Sequence, residues 1–270
     1  MHIQELSSAH NPKIKELLLL KEKSRIRIER SLFTVEGKRE IDAAINAGYI
    51  IKELYFEPGL IKEQEITIKS PRLYSLTSAL YAKVAYREST EGLIAIFETK
   101  VNSFSEVKLS KIPLIIVLES IEKPGNLGAI LRTADAVSAD AVIFCDPLTD
   151  LYNPNVIRSS LGGVFTNVII QSTSENTFNW LLNNNIEIFT AQLQDSENYY
   201  STDMSKPLAI VMGTESHGLT SYWRERANHK VKIPMLGKLD SLNVSVSTAI
   251  LCYEALRQRT VKTKSNLINE

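Results

Sequence analysis

The run Pro113-Leu-Ile-Ile-Val-Leu118, followed by Glu122-Lys-Pro-Gly-Asn126-Leu-Gly-Ala-Ile-Leu-Arg132-Thr-Ala, decides the fold. A continuous apolar run of this kind suits a strand buried on both faces of a parallel sheet, and the polar segment after it opens a helix. The pattern repeats: apolar segments at 141–144, 164–169, 186–191, 208–212 and 230–233 alternate with helical segments at 126–137, 153–160, 175–184, 219–228 and 244–259. Such alternation predicts an α/β fold, a parallel sheet flanked by helices. Two further strand-to-helix junctions share the polar, loop-forming character of the first. They are Ile210-Val-Met-Gly213-Thr-Glu215-Ser-His-Gly218-Leu and Ile233-Pro-Met-Leu-Gly-Lys-Leu-Asp-Ser241-Leu-Asn243-Val-Ser-Val-Ser. In α/β proteins ligands bind in the crevice outside the carboxyl ends of strands, where these three segments lie.

Upstream, a smaller α/β rhythm is legible. Asn11-Pro12 is an N-cap followed by proline at the first helical position, opening a helix to about residue 24. Strands follow at 32–35, 51–56, 72–76 and 92–97, with helices at 37–47, ended by Gly48, and at 77–84. The polar, weakly periodic residues 99–112 read as a linker. The expected organisation is a first domain over 1–98, a second over 113–260, and a polar, frayed tail over 261–270.

The 31 basic and 31 acidic residues give zero formal net charge, so overall charge argues for no polyanionic partner and local charge must make that case. Between Asn11 and Arg39 nine Lys or Arg face four Glu, the most basic stretch of the chain. Lys13, Lys15, Arg25 and Arg39 are its candidate phosphate contacts, with a solvated helix face as the plainer reading. The two cysteines, Cys145 and Cys252, are far apart, which fits a reducing compartment and packing roles. The four histidines form no cluster, and no metal site is indicated. There is no signal-peptide pattern and no apolar run of spanning length, so a cytoplasmic protein with no membrane partner is expected.

In order and spacing, the Asn-x-Gly-x-x-x-Arg segment, the Gly-x-Glu-x-x-Gly-Leu segment and Ile-Pro-Met followed by Ser-Leu-Asn-Val-Ser resemble the SpoU (TrmH-like) class of the SPOUT superfamily. The resemblance covers 113–260. A second one, through Asn11-Pro12-Lys13-Ile14-Lys15 and Phe33-Thr-Val-Glu-Gly37-Lys-Arg, links the first part to the small RNA-binding domain of some members. The first resemblance implies a C-terminal trefoil knot, a homodimer, and methyl transfer from S-adenosylmethionine to a ribose 2′-hydroxyl of rRNA or tRNA. The implied cofactor contacts are Met212, Gly213, Ile233, Met235, Leu242 and Val244, mostly through backbone. The implied catalytic set is Arg132, Asn126, Glu215, Ser241 and Asn243, and Asn153, Arg158 and Ser160 match a further segment that would meet RNA.

The residue types suit that chemistry. Methyl transfer to a hydroxyl is an in-line displacement that needs alignment and help in removing a proton. An arginine is a poor base, so Arg132 is expected to hold phosphate and developing alkoxide, and the proton acceptor stays open. Glycine at 213 is expected where backbone must approach a ligand closely. Glu215 could equally serve a helix N-terminus, and Asn243 is well placed to cap the last helix. Ser138 and Ser216-His217 stand where many members carry glycine, and neither change removes a catalytic group. His217, on that loop, either meets RNA or is merely solvated. The two-domain layout leans toward rRNA. The alternatives are tRNA, a non-catalytic knotted RNA-binding assembly factor, and an enzyme with another nucleotide cofactor, which lacks a Gly-x-Gly-x-x-Gly or P-loop fingerprint.

Overall fold

The computed structural model describes residues 3–86, 91–214 and 216–268, with side chains described to residue 262. The chain forms two compact units, residues 1–100 with 150–166, and residues 101–149 with 167–270.

In the first unit β1 (Ile3–Leu6), α1 (Pro12–Glu22), α2 (Ser24–Arg30), β2 (Leu32–Glu36), α3 (Lys38–Asn46), β3 (Ile51–Phe56), β4 (Leu73–Leu76), α4 (Ser78–Val84) and β5 (Leu93–Glu98) follow one another. The sheet order is β1-β4-β3-β5-β2. β5 runs antiparallel to both its neighbours, and the other pairs are parallel. The Asn11 side chain accepts from Lys13 N at 2.9 Å and caps α1, which buries Ile14, Leu17 and Leu20. The short edge strand β1 went unread because four residues of mixed polarity carry no periodic signal.

Much of the basic stretch is neutralised within this unit. Lys13 pairs with Glu53 and Glu16, Arg30 with Glu16, Arg25 with Glu29 and Lys38 with Asp42. Lys21 donates to the carbonyls of Val84 and Ala85. Arg27, only 2% exposed, donates to Asp150 at 2.5 Å and to the Leu20 carbonyl at 2.6 Å.

Glu53 is buried on β3. Burial alone would raise its carboxyl, but hydrogen bonds from Lys13, Tyr55 and Arg72 outweigh that and hold it below the usual range. A depressed folded value means that the stabilisation is complete above the unfolded value, about 4.5, and is lost as pH falls through the folded one. Glu53→Gln is therefore expected to lower stability by about 1–3 kcal/mol at neutral pH. In urea titrations its deficit should shrink once the pH drops below about 4. A deficit that does not change with pH would contradict the charged role.

The second unit holds β6 (Leu114–Glu119), α5 (Pro124–Ala136) and β7 (Ala141–Cys145). The chain then passes through α6 (Pro154–Ser160) and α7 (Gly163–Thr166) in the first unit. It returns as β8 (Ile169–Ser172), α8 (Ser174–Asn183), β9 (Glu187–Ala191), β10 (Glu197–Asn198), β11 (Leu208–Met212), α9 (Ser221–Arg226), β12 (His229–Lys232) and α10 (Val244–Ile268). All pairs in the seven-stranded sheet, order β10-β12-β9-β11-β6-β7-β8, are parallel. Every residue of β6, β7 and β11 is buried, as their unbroken apolar runs require. Ile115, Val117, Ile143, Val211 and Trp223 centre one core, and α10 packs against α5 and β11.

Three readings change. Residues 164–166 are helix rather than strand, because Leu161 (φ 51°) and Gly162 (φ 91°) turn the chain and Val164 and Phe165 become buried. Residues 150–166, read with the second domain, pack with the first unit through Arg27–Asp150, the stacked Phe33 and Tyr152 (ring centroids 4.2 Å apart) and the edge contact of Tyr49 with Phe165 (5.2 Å). The last helix runs on to Ile268 instead of fraying near 260, since no Gly or Pro interrupts 244–268. Ser138 takes the left-handed conformation after α5 (φ 51°), which is why glycine suits that position. No helix among the described residues is long and apolar enough to cross a membrane.

Candidate active site

At the carboxyl ends of β9, β11 and β12 a cleft of about 560 Å³ opens. The segments after these three strands line it, and the turn before α10 completes it.

After β11 the chain doubles back. Thr214 N donates to the Gly218 carbonyl at 3.1 Å, and Gly218 N to the Thr214 carbonyl at 2.9 Å. A Cβ on Gly213 would lie 2.2 Å from the Gly218 carbonyl carbon and 2.4 Å from Leu219 N. Glycine at 213 thus admits the chain's own backbone, a reason for glycine in addition to the ligand approach expected from sequence. The hydroxyl of Thr214 accepts from His217 N at 3.0 Å, and the Ser216 hydroxyl and His217 Nδ1 lie 2.8 Å apart. Glu215 falls outside the described residues.

Glu119, at the end of β6, was not singled out from sequence. Its buried carboxylate accepts from Thr220 N at 2.8 Å and the Thr220 hydroxyl at 2.7 Å, which fixes the start of α9. The readable signal was an acidic residue closing an otherwise wholly apolar strand.

Asn126 lies in the first turn of α5 and Asn243 at the start of α10. The Asn243 amide donates to Asn126 Oδ1 at 3.1 Å. Asn243 Oδ1 accepts from Ser245 N at 2.9 Å and the Ser245 hydroxyl at 2.6 Å, and the Asn243 carbonyl accepts from Ser247 N. One side chain therefore caps α10 and joins two motifs 117 residues apart. Ser241 is exposed and donates to Asp240 at 3.2 Å. Arg132, two turns beyond Asn126, is exposed and its side chain has no hydrogen bond or ion pair to another described residue.

Met212, Gly213, Ile233, Met235, Leu242 and Val244 all line the cleft, together with Ser241 and Asn243, whereas Asn126 and Arg132 do not. Sequence reading missed Gln192, Leu193 and Gln194, which follow β9, and Arg224 and Lys232. The volume falls in the range of small-molecule sites, roughly 300–1,000 Å³. Apolar side chains from Met212, Ile233, Met235 and Leu251 alternate in the lining with polar and charged groups. That mixture fits a cofactor with an aromatic base at one end and charged groups at the other. Burial pushes the thiols of Cys145 and Cys252 up to about 12, so neither supplies a thiolate nucleophile at neutral pH.

The residues proposed for RNA divide. Lys15 and Arg39 are exposed and, like Lys23, unpaired among the described residues, whereas Lys13 is committed to Glu53. Arg25 is exposed beside Glu29. Asn153 caps α6 by accepting from Asn155 N, and Arg158 is exposed, 6.0 Å from the Tyr86 ring centre. Ser160 is 1% exposed, and its hydroxyl donates to the Ile157 carbonyl and accepts from Val164 N. It braces α6 against α7 and presents nothing to RNA.

Residues 113–253 match the SpoU rRNA Methylase family, and residues 11–95 match the MRM3-like substrate binding domain. A 23S rRNA (guanosine(2553)-2′-O)-methyltransferase, RlmP of Bacillus subtilis (strain 168), is 27% identical over 256 residues, covering 93% of this chain and 98% of its own. A solved RNA 2′-O ribose methyltransferase superposes with a TM-score of 0.82 at 37% identity, over 95% of this chain and 100% of that one. The AdoMet-bound rRNA methyltransferase of Sinorhizobium meliloti gives 0.86 at 28% identity, over 94% and 98%. With more than half its length matched by the family, and all three of the family's motifs gathered in the second unit, the chain belongs to the SpoU rRNA Methylase family.

Proposed function

We propose that this protein methylates a ribose 2′-hydroxyl of ribosomal RNA, using S-adenosylmethionine. The observation that carries the site assignment is the Asn126–Asn243 hydrogen bond, which brings the starts of α5 and α10 together. The cofactor supplies an electrophilic methyl group on a sulfonium. Met212, Gly213, Ile233, Met235, Leu242 and Val244 would hold it, largely by backbone groups.

Arg132, on the exposed face of α5, meets the incoming nucleotide. An arginine is a poor base, so removal of the hydroxyl proton falls to another group. It binds the adjacent phosphate and donates hydrogen bonds to the alkoxide as charge develops there. Asn126 and Asn243 orient this end of the site, and Ser241 and Glu215 belong to the same set. The trefoil knot, a homodimer and a cytoplasmic place of work belong to this reading. So does rRNA ahead of tRNA, supported by the names of the relatives. The test is transfer of label from S-adenosylmethionine to rRNA, with the product identified as a 2′-O-methylnucleoside.

Docking through the first unit is part of the proposal, with Lys15, Lys23 and Arg39 as its phosphate contacts. Each phosphate neutralised contributes about 0.7–0.9 to the slope of log affinity against log salt. Replacing all three by glutamine is expected to flatten that slope by roughly 2–3, whereas Lys13→Gln leaves it unchanged. Filter binding between about 50 and 200 mM salt reads this out. An unchanged slope in the triple variant would refute docking through these residues.

A further inference from the structure

Two cations in the cleft have no role in the reading above. Arg224, on α9, and Lys232, the last residue of β12, both line it. Both are partly buried, and neither side chain has a hydrogen bond or ion pair to another described residue. Arg27, Lys13 and Lys21 give the contrast, each matched to a carboxylate or to carbonyls where it leaves solvent. A partly buried charge without a partner is unfavourable and is offset when an anion arrives.

The surrounding charge narrows the choice of anion. Asp240 and Lys123 are the other described residues in the lining with a charged carboxylate or ammonium group. Lys123 is exposed and has interactions of its own, and the Asp240 carboxylate already accepts from Ser241. Among the described residues the lining thus carries more positive than negative charge around a pocket of small-molecule size. On the reading proposed above, S-adenosylmethionine brings one carboxylate into it. We infer that Arg224 and Lys232 bind the carboxylate of S-adenosylmethionine, Arg224 as a planar fork and Lys232 as a point charge. They anchor the amino-acid end of the cofactor while the loop backbone holds the adenine.

The inference rests on the proposed cofactor, and its test separates the two claims. Calorimetric titration of the full chain uses S-adenosylmethionine and 5′-methylthioadenosine, which keeps the adenosine and lacks the amino-acid portion. Arg224→Met and Lys232→Met are each expected to weaken S-adenosylmethionine on the order of ten- to a hundredfold and to leave methylthioadenosine within about twofold. Arg224→Lys should recover part of the loss, and a comparison of the two ligands on one variant is independent of small changes in folding. Equal weakening of both ligands, or of neither, overturns the assignment. Intact cofactor binding with weakened RNA binding overturns it in favour of an RNA phosphate as the anion. If the wild type binds neither ligand, the cofactor reading itself fails.

Discussion

Arg132→Ala is expected to lower methyl transfer by about 10²–10³-fold while leaving S-adenosylmethionine affinity unchanged. The separation follows from position, because Arg132 is exposed on α5 and is absent from the cleft lining that contains all six proposed cofactor positions. Its loss should not disturb the fold, since the side chain has no partner among the described residues. Single-turnover rates with saturating cofactor, together with a cofactor titration of the variant, make the check. Arg132→Lys should retain part of the rate, because an ammonium still attracts phosphate but cannot form the bidentate geometry. A large loss of cofactor affinity in Arg132→Ala would place the residue in the wrong part of the site.

Gly213→Ala is expected to remove cofactor binding and to destabilise the second unit by about 3 kcal/mol, lowering its unfolding midpoint by roughly 6–12 °C. The added methyl would meet the carbonyl carbon and oxygen of Gly218 at 2.2 and 2.3 Å, and these are backbone atoms that no rotamer change can move. The turn from Thr214 to Gly218 must then open, taking its two backbone hydrogen bonds and the lining residues Ser216 and His217 with it. Calorimetry with and without cofactor would read both effects. Wild-type affinity in Gly213→Ala would show that the turn is not part of the cofactor site.

The second unit was largely legible because its signals are local. β6, β7 and β11 are unbroken apolar runs, and each of the three polar segments lies where a strand gives way to the next element. The route of residues 150–166 was not legible. Arg27 looks like one more cation on a basic face until its guanidinium meets Asp150, 123 positions away, and Phe33 does not advertise a stack with Tyr152. The same long-range pairing explains why nine basic residues overstated the charge available to RNA, since Lys13 and Arg27 are neutralised by carboxylates remote in sequence.

At the site, the motifs named Asn126 and Asn243, but their direct hydrogen bond required the packing of α5 on α10. Ser160 matched a motif and is buried, because sequence similarity records that a residue is needed without saying which side of the surface needs it. The steric reason for glycine at 213 was invisible for a similar cause. Its neighbour in space is the chain five residues on, and only the doubled-back turn reveals the contact.

The central claim, ribose methylation of ribosomal RNA, is tested most directly by incubating the protein with labelled S-adenosylmethionine and separate rRNA and tRNA pools from cells lacking it. The labelled nucleoside is then identified after digestion. The expected product is a single 2′-O-methylnucleoside from rRNA, absent with Arg132→Ala. Label on a base, or on tRNA alone, would contradict the account.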